Sequence, residues 1–255
     1  MRLDRLPPPP EVVSRSPAVA VRGEVQVTVP GLDPGAPRLD ARAHVPEHPV
    51  RAVVICHPHP LYGGSMNSPV PLSLAKVLAD RVEWVGGSRP ASAADRVAWA
   101  RFDFRGVGAS EGVYDNARGE VDDARAVMAW LRARAPGVPL SVCGHSFGSF
   151  VSFVAAARDG NVDRLLLLAP STRFFAFADV AARGPSPELR PAASRMAIFL
   201  GDHDEFCDVD EGRALAEEIG ADFRVFEGYD HHFLKSRRAV AEAALPIIAP
   251  ENESA

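Results

Sequence analysis

Cysteine is scarce in this chain. Its 3 residues, Cys56, Cys143 and Cys207, cannot all pair with one another. They form no CxxC pair and no Cys/His spacing typical of zinc sites. Cys56 and Cys143 sit in apolar runs that read as buried strands, where a free thiol behaves as a small hydrophobe. That usage suits a reducing cytoplasm, which is the expected location. Long apolar runs are lacking as well. None approaches the roughly 20 residues that a membrane span needs, and the N-terminal MRLDRLPPPPEVVSRSP has basic residues but no apolar h-region of a secretory signal. Nor is there a large excess of either charge: 28 Lys+Arg stand against 33 Asp+Glu, for a net −5. This mild acidity gives no electrostatic reason to expect nucleic acid or an anionic membrane as a partner.

What remains is an ordinary globular composition, 47% hydrophobic and 24% charged over 255 residues, with no internal repeat. That length suits one domain with a large core. Pro7 to Pro10 favour a polyproline II arm. Residues 1–20 are therefore read as a flexible arm, and 21–250 as a single domain, monomeric or in a small homo-oligomer.

From Glu24 onward, short β-rich runs alternate with helical patterns. Glu24–Val29 and Asp40–Val45 read as an antiparallel pair. Arg51–His57 is a continuous apolar run, as in a strand covered on both faces. Helices are predicted at Val70–Arg81, Gly119–Arg134, Phe147–Ala157 and Asp210–Ile219, with a last one from Ser236. The interleaved strands are Ala98–Phe104, Leu140–Cys143, Arg164–Ala169, Met196–Gly201 and Asp222–Glu227. Such alternation implies a mainly parallel sheet with helices on both faces, and ligands then bind at the carboxyl ends of the strands. Glu83–Val97 runs from a helix into a strand, so it lies at the opposite edge and reads as a surface insertion.

On the functional edge, Gly144-His145-Ser146-Phe147-Gly148 follows the apolar strand LSVC and opens an apolar helix. This is the strand–turn–helix setting in which GxSxG carries meaning. A sharp turn there lifts the Ser146 hydroxyl to a helix N-terminus, where free N–H groups favour the negative charge of acyl transfer. The competing interpretation is a serine N-cap of an ordinary helix. A serine needs a base and an orienting carboxylate, and in this fold the chain order is serine, acid, histidine. Among Asp202, Asp204 and Asp208, Asp204 is the choice, because it lies far enough past the strand end to reach across, whereas Asp202 is close to the strand backbone. A turn-forming Asp is the alternative. In Asp230-His231-His232 one histidine should face the serine; His231 is favoured and His232 is second.

One oxyanion donor in this fold is the N–H after the nucleophile, here Phe147; the other comes from the loop after strand RAVVIC. In His57-Pro58-His59-Pro60-Leu61-Tyr62-Gly63-Gly64 the prolines have no N–H, which leaves His59 first and Leu61 second. The side chains of His57 and His59 are expected to pack or hydrogen-bond. So many histidines at one edge raise a rival, a metal-dependent hydrolase, since His-x-His with Asp-His-Asp can ligate zinc. The prolines beside His59 restrict ligand geometry, and that reading leaves GxSxG unexplained. No metal and no cofactor is therefore expected.

HPHPLYGGSMNS, RFDFRGVGASEG, GHSFGS, GDHDEF and GYDHHF occur in that order. Together they resemble the lid-less bacterial α/β hydrolases of the "predicted hydrolase" group, from about Arg51 to the end of the chain. The resemblance implies a triad of Ser146, Asp204 and His231, oxyanion donors at His59 and Phe147, and esterase-like activity. It departs at the Glu83–Val97 insertion, at the Pro-rich arm and at His232, where an aromatic is common. Asp103 to Gly112 has the wrong glycine spacing for dinucleotide binding and reads as a structural turn beside the nucleophile loop.

Only Ser171 to Arg195 separates two strands where many members of the fold insert a helical cap, so no large cap is expected. Leu61, Tyr62, Phe174 and Phe175 are candidate pocket residues; Phe174 and Phe177, spaced three apart, could instead pack inward on a helix face. The expected reaction is cleavage of a small-molecule ester through an acyl-enzyme. Thioester cleavage or acyl transfer would use the same parts, and an idle scaffold is the non-enzymatic alternative.

Overall fold

The computed structural model describes residues 19–81, 96–177 and 196–250. Strands β1 (Val25–Val29), β2 (Leu39–His44), β3 (Arg51–Cys56), β4 (Val97–Phe102), β5 (Leu140–His145), β6 (Arg164–Leu168), β7 (Met196–His203) and β8 (Asp222–Asp230) form one sheet. Its order is β1-β2-β4-β3-β5-β6-β7-β8. The pairings β1–β2 and β2–β4 are antiparallel, and all the others are parallel. Every residue of β3 is buried. Its side chains alternate between two cores, Ala52, Val54 and Cys56 on one face and Val53 and Ile55 on the other, as a strand covered on both sides requires.

Helices α1 (Pro69–Arg81), α2 (Arg118–Arg134), α3 (Phe147–Asp159), α4 (Val209–Ile219) and α5 (Arg237–Ile248) supply those covers. Val121, Val127 and Leu131 of α2, Val151 of α3 and Leu215 of α4 join the first core. Leu74 and Leu78 of α1 join Val240, Ala244 and Ile248 of α5 in the second. This is the α/β-hydrolase architecture, with no large cap domain among the described residues. The chain passes from β3 to β4 on one side and then to β5 on the other. The carboxyl ends of β3 and β5 therefore flank a topological switch point, where open α/β sheets leave a crevice. The histidine-rich loop and the GxSxG turn both emerge there.

Two strands run further than the sequence pattern predicts. β7 continues past Gly201 to His203, and β8 past Glu227 to Asp230. An irregularity between Gly201 and His203 shifts the register, so that His203 pairs with Asp230 and the polar, glycine-containing ends stay in the ladder. The edges carrying Asp204 and His231 are thus built by strand pairing up to the residue before each. The expected flexible arm lies outside the described residues as far as residue 18, as do the proposed insertion from 82 to 95 and the inter-strand segment from 178 to 195.

Where the described chain begins, the Val19 amide donates to Asn67 Oδ1 at 2.9 Å, and Arg101 donates to the Val19 carbonyl. Arg101 also pairs with Glu24 at 2.7 Å, both side chains being fully buried, and binds the Met66 carbonyl at 2.9 Å. Buried charge is tolerated when each donor has an acceptor. Here the network ties the N-terminal strand to the start of α1.

Candidate functional site

Ser146 sits between β5 and α3 with φ 58° and ψ −117°, a conformation that side-chain-bearing residues seldom adopt. Close approach holds it there. A Cβ on Gly144 would lie 2.1 Å from the Gly148 carbonyl oxygen, and one on Gly148 would lie 2.5 Å from that of Cys56. The two glycines therefore let α3 descend onto β5 and β3. The Ser146 amide donates to the Leu168 carbonyl at 2.9 Å, which pins the turn to β6.

Ser146 Oγ lies 2.8 Å from Nε2 of His231, whose Nδ1 faces both oxygens of Asp204 at 3.0 and 2.9 Å. Asp204 and His231 are buried. With Nδ1–H directed at the carboxylate, Nε2 is the acceptor and the Ser146 hydroxyl donates to it. Asp204 is oriented in turn, because its Oδ1 accepts the Phe206 amide at 2.8 Å and the Cys207 amide at 3.2 Å. The Phe206 ring stands edge-on to His231 at 4.6 Å. Asp202 instead accepts the Gly228 amide, and Asp208 caps α4. His232 lies beside the cavity, and neither its hydrogen bonds nor those of Ser146 or Asp204 join it to the other two. Burial, with the neighbouring His231 charge next, lowers its pKa.

The loop after β3 is braced by its own histidines. Buried His57 donates from Nδ1 to the Pro58 carbonyl at 2.6 Å and accepts the Phe104 amide on Nε2 at 3.0 Å. Burial pushes its pKa down to about 3. His59 accepts the Leu61 amide on Nδ1 at 3.2 Å, so its Nε2–H donates to Tyr114 Oη at 3.0 Å; burial brings its pKa to about 4. Both rings are thus neutral brackets. The Leu61 amide, the second candidate donor, is engaged by this bond. The His59 amide precedes the turn Pro60–Tyr62, and the Phe147 amide belongs to the first turn of α3, where N–H groups have no intrahelical acceptor. The Asp103–Gly112 turn braces this same loop, since Phe104 donates to His57 and Asp103 accepts the Met66 amide at 2.6 Å.

A cavity of about 450 Å³ opens over Ser146 and His231. Tyr62, Phe174, Phe175 and Phe206 supply much of its apolar wall. Leu61 is not among the residues lining it, in contrast to the sequence expectation: its neighbour Tyr62 occupies that side. Phe174 lies in a turn and not on a helix face. Phe177 is buried against Phe150 and Phe153, and Phe175 is buried as well, packed on Phe147 and Phe150 where it also lines the cavity. Among the described residues no group of three His, Cys, Asp or Glu side chains is placed to hold a metal ion. All three cysteines are buried, and burial raises the Cys56 and Cys207 thiols to about 12.

Three further residues meet the site through side chains that no motif position specifies. Ser171 Oγ lies 3.2 Å from Ser146 Oγ. Since Ser146 donates to His231, Ser171 is the donor in that contact. Ala169, just before it, has φ 47°, an uncommon value for alanine at a strand end. His145 Nε2 donates to the His231 carbonyl at 2.9 Å, which supports the backbone of that residue. Tyr114 holds His59. Their partners are distant in sequence, and hydrophobic pattern carries no signal for them.

Comparison with known proteins agrees with this architecture. Residues 92–182 match the family model described as serine aminopeptidase, S33. The chain is 30% identical over 201 residues to the uncharacterized protein RP471 of Rickettsia prowazekii (strain Madrid E), covering 76% of this chain and 75% of that one. The crystal structure of XC6422 from Xanthomonas campestris, described as an α/β serine hydrolase without a lid, aligns with a TM-score of 0.72. It is 25% identical, and the alignment covers 94% of this chain and 100% of that one. An α/β serine hydrolase homologue from Coxiella burnetii aligns with a TM-score of 0.68 at 29% identity, over 91% of this chain and 100% of its own.

Proposed function

The chain belongs to the lid-less α/β serine hydrolases, and on that premise we propose that it cleaves small or medium acyl esters through an acyl-enzyme on Ser146. The observation that carries this reading is the unbroken line Asp204–His231–Ser146 at the foot of an apolar cavity. Ser146 Oγ attacks the ester carbonyl carbon while its proton passes to His231 Nε2. The carbonyl electron pair moves onto oxygen, which the Phe147 and His59 amides stabilise. Collapse of the tetrahedral species breaks the bond to the leaving oxygen, which takes the proton from His231. Water then attacks the acyl carbon and gives a proton to His231, and a second collapse releases the acid and restores the Ser146 hydroxyl. Asp204 holds the imidazole and offsets its charge throughout. The proposed substrate is a small molecule, because a largely apolar cavity of about 450 Å³ matches the size of small-molecule sites.

The test is a fluorophosphonate probe read by intact mass. Wild-type protein should gain one adduct and Ser146→Ala none. Absence of an adduct on wild type, or equal labelling of Ser146→Ala, would overturn the assignment.

A further inference from the structure

Apart from its histidines, only one of the described residues lining the cavity is ionisable in the physiological range or charged there, and that residue is a cation. Arg237 stands at the first position of α5, with Ser236 capping the helix by accepting the Ala239 amide at 3.2 Å. Its Nε donates to the His232 carbonyl at 3.0 Å, which ties the guanidinium to the loop carrying His231. Among the described residues no carboxylate forms an ion pair with it, and its Nη groups have no protein acceptor. Four other arginines are occupied by contrast: Arg101, Arg105, Arg132 and Arg238 each hold a carboxylate at 2.8 Å or closer. Glu205 and Asp230 act electrostatically on His232, yet neither lines the cavity, and Asp230 Oδ1 already accepts the Leu234 amide at 2.8 Å.

An unpaired cation beside an apolar cleft is a binding group for an anion, since low-dielectric walls focus its field. A guanidinium fork matches a carboxylate in charge and in planar shape. One positive charge balances one negative charge, which favours a carboxylate over a dianionic phosphate. The side of the ester can be assigned as well. His231 Nε2 must return its proton to the leaving oxygen, so the alcohol half departs on the side of His231. Arg237 is fastened to the carbonyl of the very next residue. We infer that the site takes esters whose alcohol half bears a carboxylate, and that Arg237 binds this carboxylate. The inference rests on the hydrolase reading above and names its substrate class.

The test compares para-butanoyloxybenzoate with para-butanoyloxybenzamide, which share the acyl group and nearly share the shape of the alcohol. A second pair, the para-nitrophenyl half-esters of adipic acid and of its monoamide, puts the charge on the acyl half. Each is measured with wild type, Arg237→Gln and Arg237→Lys. The readout is the ratio of kcat/KM within a pair, so a general loss caused by cutting the bond to His232 cancels. Wild type should favour the benzoate over the benzamide about tenfold, equivalent to about 1.4 kcal/mol. Arg237→Gln should bring that ratio down about tenfold, and Arg237→Lys should keep part of it. No such preference in wild type, its persistence in Arg237→Gln, or a preference confined to the adipate pair would overturn the inference. Fluorophosphonate labelling separates the two levels. A labelled Ser146 without carboxylate preference refutes Arg237 alone; an unlabelled wild type refutes the hydrolase reading, and this inference with it.

Discussion

Replacing Asp204 by Asn changes one oxygen to an NH2 group, and the surrounding hydrogen bonds dictate which one. Oδ1 accepts two backbone amides, from Phe206 at 2.8 Å and Cys207 at 3.2 Å. An NH2 group there would meet two donors, so the asparagine must keep its oxygen at that position. The NH2 then takes the place of Oδ2, the nearer partner of His231 Nδ1 at 2.9 Å, while the retained Oδ1, 3.0 Å from Nδ1, is already shared by the two amides. A donor facing Nδ1 makes that nitrogen the acceptor and moves the ring proton to Nε2. Nε2 now donates toward Ser146 and can no longer take its proton. The variant thus keeps its geometry and loses its base. A wrong tautomer in a triad of this kind costs about 10⁴ in kcat, which is about 5.5 kcal/mol of barrier. Folding should suffer far less. The backbone amides keep a neutral acceptor in place of a charged one, worth about 1 kcal/mol, or roughly 2–4 °C in the midpoint of a domain this size. The assay is hydrolysis of para-nitrophenyl butanoate, with thermal unfolding measured on the same samples. A kcat within tenfold of wild type in a folded Asp204→Asn protein would refute the reasoning, as would a loss confined to KM.

The sheet and its helices were legible because burial imposes periodicity. RAVVIC and the alternating strands and helices around it leave no other economical cover for their apolar faces. The turn that carries Ser146 was legible for a related reason: it admits only glycine at Gly144 and Gly148 and so leaves a short, recognisable pattern. The placement of Asp204 against His231 was legible because distance past a strand end is a quantity that sequence contains. Choosing between His231 and His232 was harder. Adjacent residues point to opposite sides, and which side faces Ser146 depends on how β8 ends, where the register moves by two residues between Gly201↔Phe226 and His203↔Asp230. Ser171, Tyr114 and Arg237 stayed invisible for another reason. Each acts on a partner brought close only by the sheet order, and a serine, tyrosine or arginine outside a motif resembles any surface residue. The histidines invited a metal reading for the same want of context. In the fold His57, His59 and His145 each hold a backbone group of the loops, which accounts for them as neutral struts.

Ser171→Ala removes the hydroxyl that donates to Ser146 Oγ at 3.2 Å, and one neutral hydrogen bond of this sort is worth about 1 kcal/mol. The acylation rate constant should fall about fivefold with KM little changed; an unchanged rate would show that the contact is incidental. The last prediction concerns His57 and stability against pH. Burial holds its folded pKa at about 3, well below its unfolded value of about 6.5, so unfolding takes up a proton between those limits. The unfolded state binds more protons there, and stability contributed by the neutral ring therefore declines as pH falls. Above about pH 6.5 the ring is neutral in both states and its contribution is complete. His57→Gln keeps an acceptor for the Phe104 amide but has no titrating group. Wild type should then be the more stable protein at pH 7.5, and its lead in urea unfolding should shrink by up to about 1.4 kcal/mol per pH unit below pH 6.5. Comparing the two proteins cancels the opposing carboxylates, such as Asp103, whose pKa burial raises to about 6 in both. A lead that stays constant or grows between pH 6.5 and 4.5 would mean that the fold does not lower the His57 pKa, and its role as a neutral strut of the loop after β3 would fall.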